Sequence, residues 1–184
     1  MAALDLGGGS TQLTFHAMTP ATLAKKEFIQ EAITPVGPMH VYTHSYLGLG
    51  LKAARKEVIT LNHKDHTDVV SECVNPIIKN RKYHYGGVDY FVSGLHEGYS
   101  TTVRPGNSIT TKQVIPVVNF KRCSSIIEDY IMSIATPPAE LPQKQIFAFS
   151  YYFDRAADVG LIDEMTGGKV TVHDFKVAAE KGND

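Results

Sequence analysis

Hydrophobic and polar positions alternate with a period of two over much of the first fifty residues. An apolar lead-in (Ala2, Ala3, Leu4, Leu6) runs into a glycine turn. Beyond it, Thr11, Leu13 and Phe15 alternate with Gln12, Thr14 and His16, so the pattern predicts strand, tight turn, strand. Lys26–Thr34 alternates again and predicts a third strand, broken by Pro35, Gly37 and Pro38; Met39–His44 predicts a fourth. The period then changes. Leu47, Leu51, Ala54 and Val58 fall on one helical stripe, with Lys52, Arg55 and Lys56 off it.

Further along, Val69, Val70, Cys73 and Val74 suggest a short helix ended by Pro76, after a polar loop at His63–Asp68. Lys79–Asn119 is rich in Tyr, Gly and Thr and yields only weak strands at Asp89–Ser93 and Val114–Val118. Phe120, Cys123, Ile127, Tyr130 and Ile134 mark an amphipathic helix stopped by Pro137 and Pro138. Gln145–Phe149 reads as a strand, Ser150 as the cap of a helix containing Phe153, Ala156 and Ala157, and Asp174–Lys181 as a closing helix. Strands that feed helices and alternate with further strands predict an α/β layer with a mixed sheet.

The length, 184 residues with 43% hydrophobic and 20% charged, fits one globular domain or one lobe of a larger protein. A net charge of −1, with basic and acidic residues mixed, gives no nucleic-acid groove and no polybasic membrane face. No apolar run approaches the roughly 18 residues of a membrane span. Met1-Ala2-Ala3 lacks a basic n-region and a cleavage site, so no signal peptide is expected. Met1 lies almost directly before a strand, an abrupt start that suggests a fragment. Cys73 and Cys123 have no zinc-type spacing and are either two free thiols or one disulfide.

The densest chemistry lies in Asp5-Leu-Gly-Gly-Gly-Ser-Thr-Gln12. Contiguous Gly7, Gly8 and Gly9 permit a tight turn and leave no Cβ in the way of a ligand, so backbone N–H groups can converge on an anion. Asp5 stands where it can hold a divalent cation through water, and Ser10 and Gln12 can position a water molecule. Cation, phosphate cradle and placed water are the components of metal-assisted phosphate hydrolysis. A glycine-rich hairpin turn with no ligand is the plainer alternative. A dinucleotide fingerprint does not fit, because β-branched Thr11 and Thr14 follow the glycines and predict a strand where that motif opens a helix.

Several separated motifs resemble the apyrases, the nucleoside triphosphate diphosphohydrolase (NTPDase) family. Asp5–Gln12 resembles its fourth conserved region, and Tyr42–Lys52 the segment that follows it. Ser71-Glu-Cys-Val-Asn-Pro76 is similar to its cysteine-proline segment, and Phe147–Asp163 to its fifth conserved region, closest to the soluble secretory-pathway nucleoside diphosphatases. A phosphate-binding hairpin at the start of an α/β lobe likewise resembles the actin-like, ribonuclease-H-like ATPase fold.

The resemblance implies that residues 1–184 form a single lobe, equivalent to the second (C-terminal) lobe of a two-lobed enzyme acting on nucleoside di- or triphosphates. It implies Asp5 as a ligand of Ca²⁺ or Mg²⁺ through water, and Gly7, Gly8, Gly9 and Ser10 at phosphate. Ser10 and Gln12 would hold the attacking water. Tyr151 or Tyr152 would stack on the base, with core packing at the strand end as the alternative for this pair. The resemblance also implies a Cys73–Cys123 disulfide and a parent in the secretory pathway. The family's first phosphate loop and catalytic glutamate lie upstream of this motif and are not in the chain, so the chain alone is expected to be inactive. Gly9 stands where cell-surface members more often have alanine, and no cysteine follows Cys123 to form the relatives' second disulfide.

Weaker candidates are read as structural. His63 and His66 lack a third metal ligand, and His44 and Ser45 are strand neighbours that point to opposite faces. Lys112, Lys121 and Arg122 are read as a solvated helix start. Two other functions remain open: a phosphate-binding module without catalysis, and an exopolyphosphatase or sugar kinase lobe on the same fold. The aromatic corner at Ser150-Tyr151-Tyr152 argues against the latter.

Overall fold

The computed structural model describes residues 1–61, 63, 65–95, 99–103, 112–116 and 119–181. The chain divides into two compact units, Met1–Ala54 with Ile131–Phe175 and Arg55–Tyr130 with Lys176–Asp184.

The first unit is built on five strands: β1 (Ala2–Leu6), β2 (Ser10–His16), β3 (Ile29–Thr34), β4 (Gly37–Leu47) and one arriving late in the chain. Labels for the intervening elements are α1 (Pro20–Leu23), α2 (Leu51–Thr60), β5 (Asp68–Ser71), β6 (Arg81–Tyr85), β7 (Val88–Gly94), β8 (Tyr99–Val103), β9 (Lys112–Pro116) and α3 (Phe120–Ile134). The late strand is therefore β10 (Ile146–Ser150), followed by α4 (Tyr151–Asp158) and α5 (Val172–Lys181). Sheet order is β10-β1-β2-β4-β3, with β10 parallel to β1 and the other neighbours antiparallel. The mixed α/β class matches the expectation.

Alternation gives this sheet one dry face. Ala2, Leu13, Phe15, Tyr42 and Tyr46 are buried there as the core. The Tyr42 ring stacks on Phe15 with centroids 4.9 Å apart and meets the edge of Phe28 at 5.7 Å. Burial, and then the hydrogen bond to Tyr46, pushes the Tyr42 phenol well above the usual tyrosine range. Fully burying such an aromatic contributes roughly 1.5–3 kcal/mol by apolar transfer. The opposite face carries Asp5, Gln12 and Thr14 and is the polar one.

One buried charge fastens the chain around this core. Glu140, 3% exposed, accepts from the Met18 and Thr19 amides at 3.2 Å and the Thr19 hydroxyl at 3.1 Å. Lys144 lies 2.5 Å away, donates to the His16 carbonyl at 3.1 Å and sits over the Phe15 ring. A buried carboxylate is stable only when so compensated.

In the second unit β5 pairs parallel with β7, and β6 and β7 form a hairpin closed by Gly86 and Gly87. Both glycines have positive φ, 61° and 80°, as a two-residue hairpin turn requires. Cys73 and Cys123 are joined by a disulfide across a separation of 50 residues. Closing such a loop stabilises the fold by about 4 kcal/mol on the chain-entropy estimate.

Some expectations are corrected. Val69 and Val70 lie on strand β5, because burial alternates there (Val69 and Ser71 inward) and β-branched residues favour the extended chain. Ser150 precedes α4 but makes no side-chain capping bond; its φ of 56° and ψ of −129° turn the chain as a strained elbow. The expected strand at Val114–Val118 overlaps β9, while residues 117 and 118 lie outside the described residues, as does Lys64 between His63 and His66. Among the described residues, no helix is long and apolar enough to cross a membrane.

The Glu140 clamp sets an acid limit. Burial alone would raise this carboxyl, but its hydrogen bonds from Lys144, Met18 and Thr19 bring it down to about 2 from an ordinary 4.5. A depressed acid stabilises the fold above its unfolded pKa, and that contribution is lost as pH falls from about 4.5 toward 2, amounting to about 3 kcal/mol. Glu140→Gln is expected to lower stability at pH 7 by that order and to flatten the stability slope between those values, read by denaturant unfolding across pH.

Candidate active site

The hairpin joining β1 and β2 is the centre of the site. Gly7 N–H donates to the Ser10 carbonyl at 3.0 Å, closing a tight loop. Its carbonyls are held by the start of α2. Leu51 N–H donates to Gly7 O at 2.9 Å, and the Lys52 and Ala53 amides both donate to Gly8 O at 3.0 Å. Gly48 N–H takes Gly9 O at 2.9 Å. The helix therefore satisfies its first-turn donors on the hairpin, where most helices use a capping side chain.

This seating orients the opposite side of the loop. No peptide bond among the described residues is cis, so each N–H there points away from the carbonyl of its own peptide unit. Gly7 O and Gly8 O face α2, so the Gly8 and Gly9 N–H groups face away from it. Among the described residues no hydrogen bond engages either one. Two adjacent backbone donors turned outward are an arrangement able to cradle an anion.

The close seating depends on Gly50, which the sequence reading missed. A Cβ there would lie 2.3 Å from Ser10 N and 2.5 Å from the carbonyl carbons of Gly8 and Gly9. Gly9 is different: a Cβ on it meets nothing within 4 Å. The aliphatic stem of Lys52 passes 3.8 Å from a Cβ placed on Gly8, which puts a basic side chain beside the cradle.

Strand register assembles the side chains. Asp5 pairs with Gln12 across β1 and β2, and Gln12 with Ser45 across β2 and β4. Directly opposed residues share a face, and Ser10 joins them two positions before Gln12. Gln12 Nε2 donates to Ser10 Oγ at 2.5 Å and to Ser45 Oγ at 3.2 Å. Ser45, read from sequence as structural, is thus part of the network. Its signal was the cross-strand position, which only register reveals.

Asp5 is the unusual member. Its Oδ1 is buried and has no hydrogen-bond partner among the described residues. A buried carboxylate oxygen left unmatched is costly, and a hydrated cation would satisfy it. No group of three or more His, Cys, Asp or Glu able to hold a metal occurs among the described residues. A carboxylate oxygen is a donor of the kind that hard divalent cations take.

The aromatic pair follows the elbow that ends β10, whose Ser150 lies in register with Leu6, next to the hairpin. The two rings differ. Burial raises the Tyr152 phenol, an effect the nearby Thr11 side chain partly offsets. Thr11 is buried and donates to the Leu49 carbonyl at 2.6 Å, so Tyr152 neighbours a fixed side chain at the base of the hairpin. Tyr151 is half-buried at the start of α4. Cys73 and Cys123 belong to the other unit, and Lys112 has no described side chain.

Gly50→Ala is expected to unseat the hairpin and cost roughly 1–3 kcal/mol or more, as forced overpacking does. Gly9→Ala should stay within about 1 kcal/mol of the parent, since its space is open. Denaturant unfolding of the two variants makes the comparison.

The model of the GDA1/CD39 (nucleoside phosphatase) family matches residues 1–181. Ectonucleoside triphosphate diphosphohydrolase 5 of Gallus gallus is 35% identical over 97% of this chain and 38% of its own length. Nucleoside diphosphate phosphatase ENTPD5 of Homo sapiens is 32% identical, with 97% and 38% covered. Ectonucleoside triphosphate diphosphohydrolase 6 of Homo sapiens is 32% identical, with 96% and 34% covered. The chain thus spans little more than a third of the length of these curated relatives. With its family model matched over nearly the whole sequence, the chain belongs to the GDA1/CD39 nucleoside phosphatase family.

Proposed function

We propose that residues 1–184 are the second lobe of a nucleoside diphosphate or triphosphate phosphohydrolase. The observation that carries this reading is the meeting of three features at one hairpin. They are the outward Gly8 and Gly9 N–H groups, the Ser10–Gln12 pair, and the unmatched Asp5 Oδ1. The names of the relatives agree with it.

In this reading the phosphate to be hydrolysed lies against the Gly8 and Gly9 amides, which stabilise charge as it builds on the phosphoryl oxygens. Gln12 and Ser10 hold a water in line with the scissile bond. Its proton passes to a base from an upstream lobe, which the family resemblance implies is a glutamate. Asp5 is the carboxylate that would hold Ca²⁺ or Mg²⁺ through water, and such a cation would supply neutralisation of phosphate charge. Tyr151 stacks on the base, while Tyr152 neighbours Thr11 at the base of the hairpin.

The isolated chain is then expected to hydrolyse nucleotides at no useful rate. A phosphate-binding module without catalysis is the second reading, and it rests on the chain's span of about a third of its relatives. The disulfide favours an oxidising compartment, as in the secretory pathway.

Steady-state kinetics on variants of the two-lobed protein test the assignment. Asp5→Ala, Ser10→Ala and Gln12→Ala should each lower kcat by about 10²-fold, because their contacts mature in the transition state. Tyr151→Ala should instead raise KM, costing about 1–3 kcal/mol of binding, since stacking is similar in ground and transition states. If Ser10→Ala changed only KM, the hairpin would be a phosphate clamp and the water-holding role would be wrong.

A further inference from the structure

An exposed serine on a β-strand has little structural work to do, yet Ser45 is fixed at one point of the site network. It lies on β4 in register with Gln12, which lies in register with Asp5, so the three form one row across the polar face. One row further from the hairpin, Thr14 and Thr43 share a hydrogen bond of 3.3 Å between their hydroxyls. The row containing Gln12 differs because its contact reaches the residue proposed to hold water.

The Gln12 amide offers two unlike ends. Its NH₂ has two hydrogens to give and its carbonyl oxygen only accepts. Nε2 reaches both hydroxyls, Ser10 Oγ at 2.5 Å and Ser45 Oγ at 3.2 Å, so both amide hydrogens have a partner. Oε1 is then the end left for a water. A water that donates to Oε1 keeps its lone pair for phosphorus. With the amide turned over, NH₂ would face the water and hold the electron pair that must attack. A single hydroxyl at that corner leaves the amide free to swing about the one contact, while two hydroxyls on opposite sides fix where the corner sits. A second hydroxyl on the far side adds a second restraint on side-chain rotation.

We propose that Ser45 is a positioning residue for hydrolysis, acting through Gln12 by anchoring its amide from the side opposite Ser10 and so fixing where the other end of that amide meets the attacking water. This rests on the water-holding reading of Gln12. Ser45 touches neither nucleotide nor water in this account. Its effect belongs to kcat and leaves KM nearly alone.

The test uses the two-lobed protein with a nucleoside diphosphate and a divalent cation. Ser45→Ala should lower kcat by up to about tenfold, the order of one neutral hydrogen bond, with KM changed less than about twofold. Ser45→Thr keeps a hydroxyl on a β-branched residue suited to a strand, and should restore most of the rate. Combined with Gln12→Ala, the Ser45→Ala change should cost nothing further, because a residue acting through Gln12 has nothing left to position. Thermal unfolding of each variant separates loss of fold from loss of positioning. A wild-type kcat in Ser45→Ala beside a crippled Gln12→Ala would overturn the role of Ser45 and leave the site reading standing. Losses that add in the double variant would overturn it as well. Full turnover in Gln12→Ala would overturn the site reading itself.

Discussion

The approach of Gly50 to the glycine hairpin is the contact on which the site depends. No side chain fits there, since a Cβ would lie 2.3 Å from Ser10 N. Because none is present, the first turn of α2 can bind the hairpin carbonyls directly. That bond set fixes the direction of the peptide planes, and their direction turns Gly8 and Gly9 N–H outward. The glycine run supplies the shape, and the helix start supplies the orientation. The positive end of α2 is thereby spent on protein carbonyls, and any anion would meet the hairpin amides first.

Two faces of one sheet divide the remaining work. The dry face packs Phe15, Tyr42 and Leu13 into the core and holds strands β1, β2 and β4 in register. Register then places Asp5, Gln12 and Ser45 in one row on the other face. A slip of one residue would bury Gln12 and expose Leu13, so the hydrophobic pattern that stabilises the sheet also aligns the chemistry. The Glu140–Lys144 clamp secures the segment leaving β2, where Met18 and Thr19 donate to the carboxylate.

Features carried by local pattern were legible in the sequence. The alternation of β2, the stripe of α3 and the glycine run between Asp5 and Ser10 each state their conformation within a few residues. Features made by distant contacts were hidden. Gly50 looks like any glycine before a helix until the hairpin is folded onto it, and Ser45 looks solvated until β4 is placed beside β2. Val69–Val74 was misread because Val69, Val70, Cys73 and Val74 fit a helical spacing, whereas β5 is set by parallel pairing with β7, a partner some twenty residues away. The cysteine count left a disulfide and free thiols equally open; only the family resemblance implied the bond that joins Cys73 to Cys123.

The hairpin as a phosphate cradle beside a cation-holding carboxylate is the central claim. Amide resonances of the ¹⁵N-labelled protein, followed while a methylene-bridged nucleoside diphosphate and Mg²⁺ are added together, test it most directly. The account predicts that Gly8 and Gly9 show the largest shifts, that the shifts saturate, and that they shrink when Mg²⁺ is withheld. Saturating shifts that leave Gly8 and Gly9 unmoved while other residues respond would contradict it.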